Sequence, residues 1–178
     1  MDTVMREVSR YALSTYARYQ EKVEKTGIRE PLKKHAAWQI AWGQGELSAT
    51  PLAMARVASI VAGRGSMPVT RYLMDESPKS VVLEGMSRED ASYLRYCMSA
   101  EAEGHNFKAK VYGKTGTAQR PVGKNANEQD GWYMGYCDGV RGPIAFAVRL
   151  ERGPGSGNAV RVTEEVLIPA LKQAGYIK

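Results

Sequence analysis

Apolar side chains recur at intervals of three and four residues near the start of the chain, which predicts an amphipathic helix. Its apolar positions are Met5, Val8, Ala12, Tyr16, Tyr19 and Val23. The helix is predicted to end at Gly27, because basic residues followed by a glycine are typical of a helix C-terminus. Lys25-Thr26-Gly27 is therefore interpreted as a helix end, although its letters return in a later motif.

Two further helices are predicted from their starting signals. Thr50 followed by Pro51 is a typical N-cap and first helical residue, and it opens a helix that continues to Ala62. That helix is apolar on nearly every side, so we expect it to be buried. Ser87-Arg88-Glu89-Asp90 resembles a capping box and opens a helix that ends at Gly104. The predicted apolar face of this second helix consists of Ala91, Leu94, Cys97 and Met98.

Extended segments follow, together with one last helix. Residues 66–86 are predicted to be a connector with short extended pieces around a turn at Pro78, and strands are expected later in the chain. The extended pieces are Met67 to Leu73 and Val81 to Leu83, and the strands are Val111 to Ala118, Trp132 to Cys137 and Ile144 to Leu150. The final helix should run from Asn158, as its N-cap, to Ala174, with a kink at Pro169.

This order of elements predicts an α+β fold, an antiparallel sheet with packed helices. A mainly helical part covers residues 1–105, and a three-stranded antiparallel sheet with a C-terminal helix covers residues 106–178. Asp138-Gly139 indicates the hairpin between the last two strands. The polar loop from Gln119 to Asp130 is suited to act as a mobile flap beside the first strand.

Composition narrows the functional classes. The chain of 178 residues is 43% hydrophobic and 25% charged, which suits one globular domain with a core. The N-terminus lacks the apolar block of a signal peptide, and no run is long enough to cross a membrane. The net charge is +6, but the basic residues are scattered, so nucleic-acid binding is not expected. Two cysteines, Cys97 and Cys137, match no metal spacing and are expected to be small buried side chains.

The chemistry concentrates in the strand that contains Lys114-Thr115-Gly116-Thr117. Strands avoid two glycines within four residues unless another backbone or a ligand comes close, and Gly113 and Gly116 are such a pair. Period-2 alternation places Thr115 and Thr117 on one face. A phosphate-binding loop is excluded, because it needs a glycine where this chain has Lys108. The strand therefore predicts an anion-binding edge with one fixed positive charge.

These residues resemble the C-terminal part of the penicillin-binding protein transpeptidase domain. Lys114-Thr115-Gly116-Thr117-Ala118 is similar to the third active-site motif of that family. Gly43-Gln44-Gly45 followed by Thr50-Pro51-Leu52, and Trp132-Tyr133-Met134-Gly135-Tyr136 after the motif, resemble two further stretches of the family. Both signatures occur in the order and spacing of the family, and the resemblance covers almost the full length.

The resemblance implies a role for each residue of the motif. Lys114 would provide the positive field for the substrate carboxylate and support proton movement near the nucleophile. Thr115 would hydrogen-bond the carboxylate of a D-alanine terminus or of a β-lactam, and Gly116 would let the substrate backbone lie against the strand. Thr117 would lend its backbone N–H to the oxyanion hole, a type of contact worth roughly 3–4 kcal/mol. The stretch from Gly43 to Ala55 would be structural.

The sequence departs from the family pattern at the nucleophile. No serine of the chain is followed three residues later by lysine, so the Ser-x-x-Lys motif is missing. A Ser-x-Asn sequence occurs once, at Ser156-Gly157-Asn158, but it follows the lysine motif where the family has it before. The chain is therefore expected to begin downstream of the nucleophile and to be inactive alone.

The resemblance thus predicts the C-terminal part of a penicillin-binding peptidoglycan D,D-transpeptidase, without a metal or organic cofactor. The expected partners are a peptidoglycan stem peptide or a β-lactam and the missing N-terminal part of the domain, with dimerisation through an exposed sheet edge as a further expectation. One alternative is a non-catalytic module that binds peptidoglycan or a partner protein. Another is that a separate polypeptide supplies the missing segment. The expected location is the extracytoplasmic face of the cell membrane.

Overall fold

The computed structural model describes Gln44 and residues 49–70, 77–82, 86–119, 128–153 and 155–178. The helix predicted over residues 5–23, its end at residues 25–27 and most of the polar loop after β3 lie outside the described residues. In chain order the described elements are α1 (Pro51–Ala62), β1 (Ser66–Pro68), β2 (Ser80–Val82), α2 (Arg88–Ala102), β3 (Val111–Gln119), β4 (Gln129–Cys137), β5 (Ile144–Leu150), α3 (Ser156–Val162), a π-helical turn (Thr163–Leu167) and α4 (Ile168–Gln173).

Helix α1 begins where its local signals predicted. The Thr50 side chain accepts a hydrogen bond from the Ala53 N–H at 3.1 Å, and Pro51 occupies the first turn. The expectation that this helix is buried on all sides is wrong. Its buried residues are Ala53, Ala58, Ile60 and Val61, whereas Leu52 is 44% exposed. The apolar residues of α1 could be buried on several sides, but the helix packs against the sheet with one side only.

Helix α2 has the predicted capping box, in which the Ser87 hydroxyl accepts from the Asp90 N–H and the Asp90 carboxylate accepts from the Ser87 N–H. Its buried face differs from the predicted one. Ala91, Met98 and Ala102 are buried, while Cys97 and Leu94 are exposed. Adjacent helical residues point about 100° apart, so burial of Met98 turns Cys97 toward solvent. Of the two cysteines expected inside, Cys137 is buried and Cys97 is not.

The connector forms a small antiparallel pair, β1 with β2, in which Met67 lies opposite Val81. Strand β1 is shorter than the predicted piece from Met67 to Leu73, and β2 begins one residue before the predicted piece from Val81 to Leu83. The ends of both predicted pieces lie outside the described residues.

The main sheet has the order β3-β4-β5 with antiparallel neighbours, in agreement with the predicted α+β fold. Strand β4 begins at Gln129, three positions before the predicted start at Trp132, and β3 continues to Gln119. The residues at both ends of the predicted polar loop therefore belong to the ladder, where Gln119 lies opposite Gln129.

Helices pack on both faces of this sheet. On one face Tyr133, Cys137 and Phe146 pack with α3 and α4; the cluster is Ala102, Val111, Tyr133, Cys137, Phe146, Ala159, Val160, Ile168 and Ile177. On the other face, Tyr112 and Tyr136 stack at 4.6 Å between ring centroids and pack with Val61 of α1 and Met98 of α2. The sheet is therefore the centre of the fold.

The C-terminal helical segment begins earlier than predicted. The N-cap is Gly155 and α3 starts at Ser156, so the interpretation of Asn158 as the N-cap is wrong. The N-cap residue has a positive φ of 93°, which glycine adopts without strain. The helix therefore begins directly after Gly155. The π-helical turn Thr163–Leu167 ends two residues before Pro169. Because Pro169 cannot donate a helical hydrogen bond, the predicted irregularity takes the form of a widened turn. Among the described residues, no helix has the length and apolar character that a membrane crossing requires.

Candidate functional site

The open edge of β3 is the candidate site. Strand β4 pairs with one side of β3, and no other described strand pairs with its second side. The carbonyls of Thr115 and Thr117 point to this open edge, because side chains of Lys114 and Gln44 bond them there. In an antiparallel strand the N–H and C=O of one residue point the same way. The N–H groups of Thr115 and Thr117 therefore face the open edge too.

Lys114 places its charge over this edge. Its side chain is exposed, and Nζ donates to the Thr115 carbonyl oxygen at 3.0 Å and to Thr115 Oγ1 at 3.3 Å. Lys114 lies opposite Met134 on the face of α1 and α2, so its side chain crosses from that face to the strand edge. The ammonium group and the Thr115 hydroxyl thus form one polar spot that an anionic group in solvent can reach.

The two threonines of the motif share the other face of the sheet. Thr115 lies opposite Tyr133, and Thr117 lies opposite Gly131. Directly opposed residues of an antiparallel pair point to the same face, so the register confirms that Thr115 and Thr117 lie on one side. This face is the one that packs with the C-terminal helical segment.

Thr117 accepts hydrogen bonds from two distant parts of the chain. Gln44 Nε2 donates to its carbonyl oxygen at 2.7 Å, and the Ser156 N–H donates to its Oγ1 at 3.3 Å. Its own N–H faces the open edge, so the ladder between β3 and β4 does not use this donor. The site thus presents two backbone donors at the open edge, the N–H groups of Thr115 and Thr117, next to a hydroxyl and an ammonium group.

The structure makes different demands at the two glycines of the strand, Gly113 and Gly116. A Cβ at Gly113 would collide with the Tyr133 hydroxyl and ring, so the core requires this glycine. A Cβ at Gly116 would meet only the Trp132 Cβ, at 3.4 Å, so the fold by itself places little demand on this position. Core packing therefore explains Gly113 but does not explain Gly116.

The titratable side chains of Tyr133, Tyr136 and Cys137, which are buried behind the strand, favour their neutral forms because their pKa values are raised. Burial, and next the nearby Glu101 carboxylate, raises the pKa of Tyr133, while burial raises the pKa of Tyr136 to about 12. Burial also raises the pKa of the Cys137 thiol, which disfavours a reactive thiolate. In the part of the chain that the structure describes, no serine hydroxyl is hydrogen-bonded to lysine or histidine. The same part contains no group of His, Cys, Asp and Glu side chains that could hold a metal ion.

Sequence reasoning missed two contributors. The sequence predicts that Gln44 belongs to a structural stretch, and the position of Ser156-Gly157-Asn158 after the lysine motif argues against a role for it in the site. The structure brings the Gln44 side chain and the Ser156 N–H to the same residue, Thr117. The occurrence of Gly43-Gln44-Gly45 and the lysine motif in one chain is the sequence signal that could have identified Gln44. No sequence signal identifies Ser156.

The comparisons with known proteins identify the family and the fold of the chain. The family model of the penicillin binding protein transpeptidase domain matches residues 1–171. A search of curated proteins found no match. The chain therefore belongs to the penicillin-binding protein transpeptidase domain family.

Three solved structures of such proteins show the same fold. Penicillin-binding protein A of Mycobacterium tuberculosis, as a ceftriaxone acyl-enzyme, is 24% identical with a TM-score of 0.58, and the match covers 82% of this chain and 37% of that one. The transpeptidase domain of penicillin-binding protein 3 of Burkholderia pseudomallei is 17% identical with a TM-score of 0.62, covering 83% and 50%. Penicillin-binding protein 2 of Helicobacter pylori, solved in complex with MreC, is 20% identical with a TM-score of 0.64, covering 85% and 30%. The chain spans between about a third and a half of the length of these structures.

Proposed function

We propose that this chain supplies the Lys-Thr-Gly-Thr side of the active-site cleft of a penicillin-binding peptidoglycan D,D-transpeptidase. In this reaction a serine oxygen attacks the carbonyl carbon of a D-Ala-D-Ala amide, the C–N bond breaks, and D-alanine leaves with the proton. An amine of a neighbouring stem peptide then attacks the acyl ester, and the serine recovers its proton as the ester bond breaks. A β-lactam would acylate the same serine.

One observation carries the proposal: the open edge of β3 combines the Lys114 ammonium, the Thr115 hydroxyl and the outward Thr117 N–H. An extended peptide that ends in a carboxylate needs these three kinds of group, a cation, a hydroxyl donor and a backbone donor, along one strand. Lys114 and Thr115 would hold the carboxylate, and Gly116 would leave room for the peptide backbone. Thr117 would donate its N–H to the oxyanion.

The nucleophile would come from residues other than these 178, because the sequence contains no Ser-x-x-Lys. We therefore expect the isolated chain to bind the substrate carboxylate weakly and to form no covalent adduct. The missing serine helix would be supplied by the N-terminal part of the domain or by a separate polypeptide. The M. tuberculosis relative forms acyl-enzymes with β-lactams, which supports the same chemistry for the complete cleft.

Incubation with fluorescent penicillin followed by a denaturing gel tests the division of roles. The chain alone should give no labelled band, and a labelled band would refute this part of the proposal.

A longer protein that joins a family Ser-x-x-Lys segment to this chain should become labelled. In that protein Lys114→Ala should reduce labelling by about a hundredfold or more, as losses of one electrostatic contact in an active site do. Lys108→Ala, which changes an exposed lysine outside the motif, is the matched control.

The alternative is a non-catalytic module that binds peptidoglycan or a partner protein. It is favoured by the observation that the binding edge is formed in a sheet with helices on both faces, without a paired serine among the described residues. Size-exclusion chromatography separates the two proposals. A compact monomer that binds stem peptide supports the module, whereas a dimer joined through the β3 edge or an aggregate supports an incomplete domain. A peptidoglycan ligand would be met outside the cytoplasmic membrane, and we propose that the site works there.

A further inference from the structure

The Thr117 hydroxyl joins the β3 edge to the start of the C-terminal helical segment. The first N–H groups of a helix have no partner within the helix. At α3 the N-cap is Gly155, which provides no side-chain acceptor, and Thr117 Oγ1 accepts from the Ser156 N–H instead. A residue of the binding motif therefore takes the place of a missing helix cap.

This contact depends on Gly131, the residue opposite Thr117 in β4. A Cβ at Gly131 would collide with the Gly155 carbonyl oxygen and lie 2.8 Å from the Gly155 carbonyl carbon. The turn before α3 thus rests directly on the backbone of β4. Its shape needs Gly155 at a φ of 93° and a hydrogen bond from the Gly155 N–H to the Gly153 carbonyl at 2.8 Å. Two glycines, one on each side, bring the Ser156 N–H within reach of Thr117.

The hydrogen bond from the Ser156 N–H restricts the Thr117 side chain, which the pairing of β3 with β4 does not hold. Thr117 lies two residues before the end of β3, and β4 bonds only one side of that strand. Because threonine has few allowed χ1 rotamers, holding its Oγ1 also restricts its Cα and the direction of its N–H. The Thr117 N–H is the group that the proposed function assigns to the oxyanion hole.

We infer that Gly131, Gly155 and Ser156 are positioning residues for Thr117. The two glycines bring the Ser156 N–H to the Thr117 hydroxyl, and this hydrogen bond directs the Thr117 N–H into the cleft. This inference rests on the proposed function for the purpose of the N–H, but the positioning itself is a property of the folded chain. Ser156-Gly157-Asn158 follows the lysine motif, unlike the Ser-x-Asn motif of the family. Its first residue nevertheless contacts the last threonine of the lysine motif, because the Ser156 N–H donates to the Thr117 hydroxyl.

Amide hydrogen exchange and ¹⁵N–¹H spectra of the full chain test the positioning without any ligand. Thr117→Val removes the acceptor at nearly constant volume, so exchange of the Ser156 amide should accelerate about tenfold, the effect of one lost hydrogen bond. Thr117→Ser keeps an acceptor and should restore the slow exchange. Gly131→Ala should accelerate Ser156 exchange and shift the Thr117 amide resonance. Gly157→Ala, where a Cβ meets nothing within 4 Å, is the matched control and should change neither.

Unchanged Ser156 exchange in Thr117→Val would overturn the inference, and this variant decides the matter even if Gly131→Ala fails to fold. A second arm adds an acetylated D-Ala-D-Ala dipeptide to the same samples. In the wild type the Thr117 amide should shift, and Thr117→Val should weaken binding by roughly fivefold or more while Thr117→Ser stays near wild type. Equal binding by Thr117→Val and the wild type would overturn the positioning role. Absence of any shift in the wild type would refute the proposed function, with the exchange results still deciding the positioning.

Discussion

The side-chain amide of Gln44 bridges two outward backbone groups of β3: Nε2 donates to the Thr117 carbonyl oxygen at 2.7 Å, and Oε1 accepts from the Gln119 N–H at 3.2 Å. An open strand edge exposes such groups to pairing with another chain. Gln44 therefore supplies, from 73 positions away, the hydrogen bonds that a neighbouring strand would make at the end of the edge.

Replacement of Gln44 by alanine should loosen this end of β3. Loss of the Oε1 acceptor leaves the Gln119 N–H to solvent, so its hydrogen exchange should accelerate about tenfold. Native-state exchange followed by NMR measures this rate. Gln173→Ala, an equal substitution in α4, should leave it unchanged. Slow Gln119 exchange in the Gln44 variant would mean that the bridge does not hold the strand end.

Asp130 should be the most sensitive charged residue among those whose contacts are described. It is only 6% exposed and accepts from Arg149 Nη2 at 2.7 Å, Arg149 Nε at 3.1 Å and the Arg152 N–H at 3.1 Å. Asp130→Ala leaves these donors without their acceptor, so the free energy of unfolding should fall by about 3 kcal/mol. Urea denaturation measures this loss.

The matched control for Asp130 is Arg152→Gln. The Arg152 side chain forms an exposed ion pair with Glu128 at 3.5 Å, while its N–H still bonds Asp130 in the variant. Exposed pairs contribute little, so the change should stay within about 0.5 kcal/mol. Similar losses in both variants would show that Asp130 is not held by a buried network.

Alkaline unfolding should depend on Tyr136. Burial raises its pKa to about 12, whereas an unfolded tyrosine ionises near pH 10. The unfolded state therefore loses its proton first, and stability falls as the pH rises from about 10 toward 12. Tyr136→Phe removes this loss, so the stability difference from the wild type should be constant below about pH 9 and should shift in favour of the variant above pH 10. Thermal unfolding across this pH range measures it, and a parallel pH dependence would contradict the assignment.

Acid should weaken the cap of α2. The Ser87 hydroxyl, and next the Ser87 N–H, hold the pKa of Asp90 below its ordinary value. A carboxyl whose pKa is lowered by folding stabilises the fold above its unfolded pKa, and the effect disappears as the pH falls through the folded pKa. Asp90→Ala should therefore lower the melting temperature at pH 7, and the difference should vanish as the pH falls well below about 4.

Ser87→Ala provides the cross-check on this cap, because it removes the partner that lowers the Asp90 pKa. Its deficit in melting temperature should shrink in acid but should not vanish, because the lost hydrogen bond from the Asp90 N–H to the Ser87 hydroxyl does not depend on pH. A Ser87 variant that loses stability equally at pH 3 and pH 7 would show that the hydroxyl acts apart from the carboxylate.

The sequence by itself determined the features that depend on neighbouring residues. The N-cap at Thr50, the capping box at Ser87 and the strand Ile144–Leu150 lie where local patterns predicted them. The motif around Lys114 and the shared face of its threonines follow from residue type and the period of a strand. These features need only contacts within a few positions along the chain.

The tertiary structure decided what depends on distant contacts. Whether Met98 or Cys97 turns inward is set by the sheet against which α2 packs, and the start of α3 at Ser156 is set by the strand on which its preceding turn rests. Gln44 and Ser156 reach Thr117 across 73 and 39 positions, and no local pattern encodes such separations. Packing of the helices on the sheet brings these groups together, which is why only the folded chain reveals how the site is held.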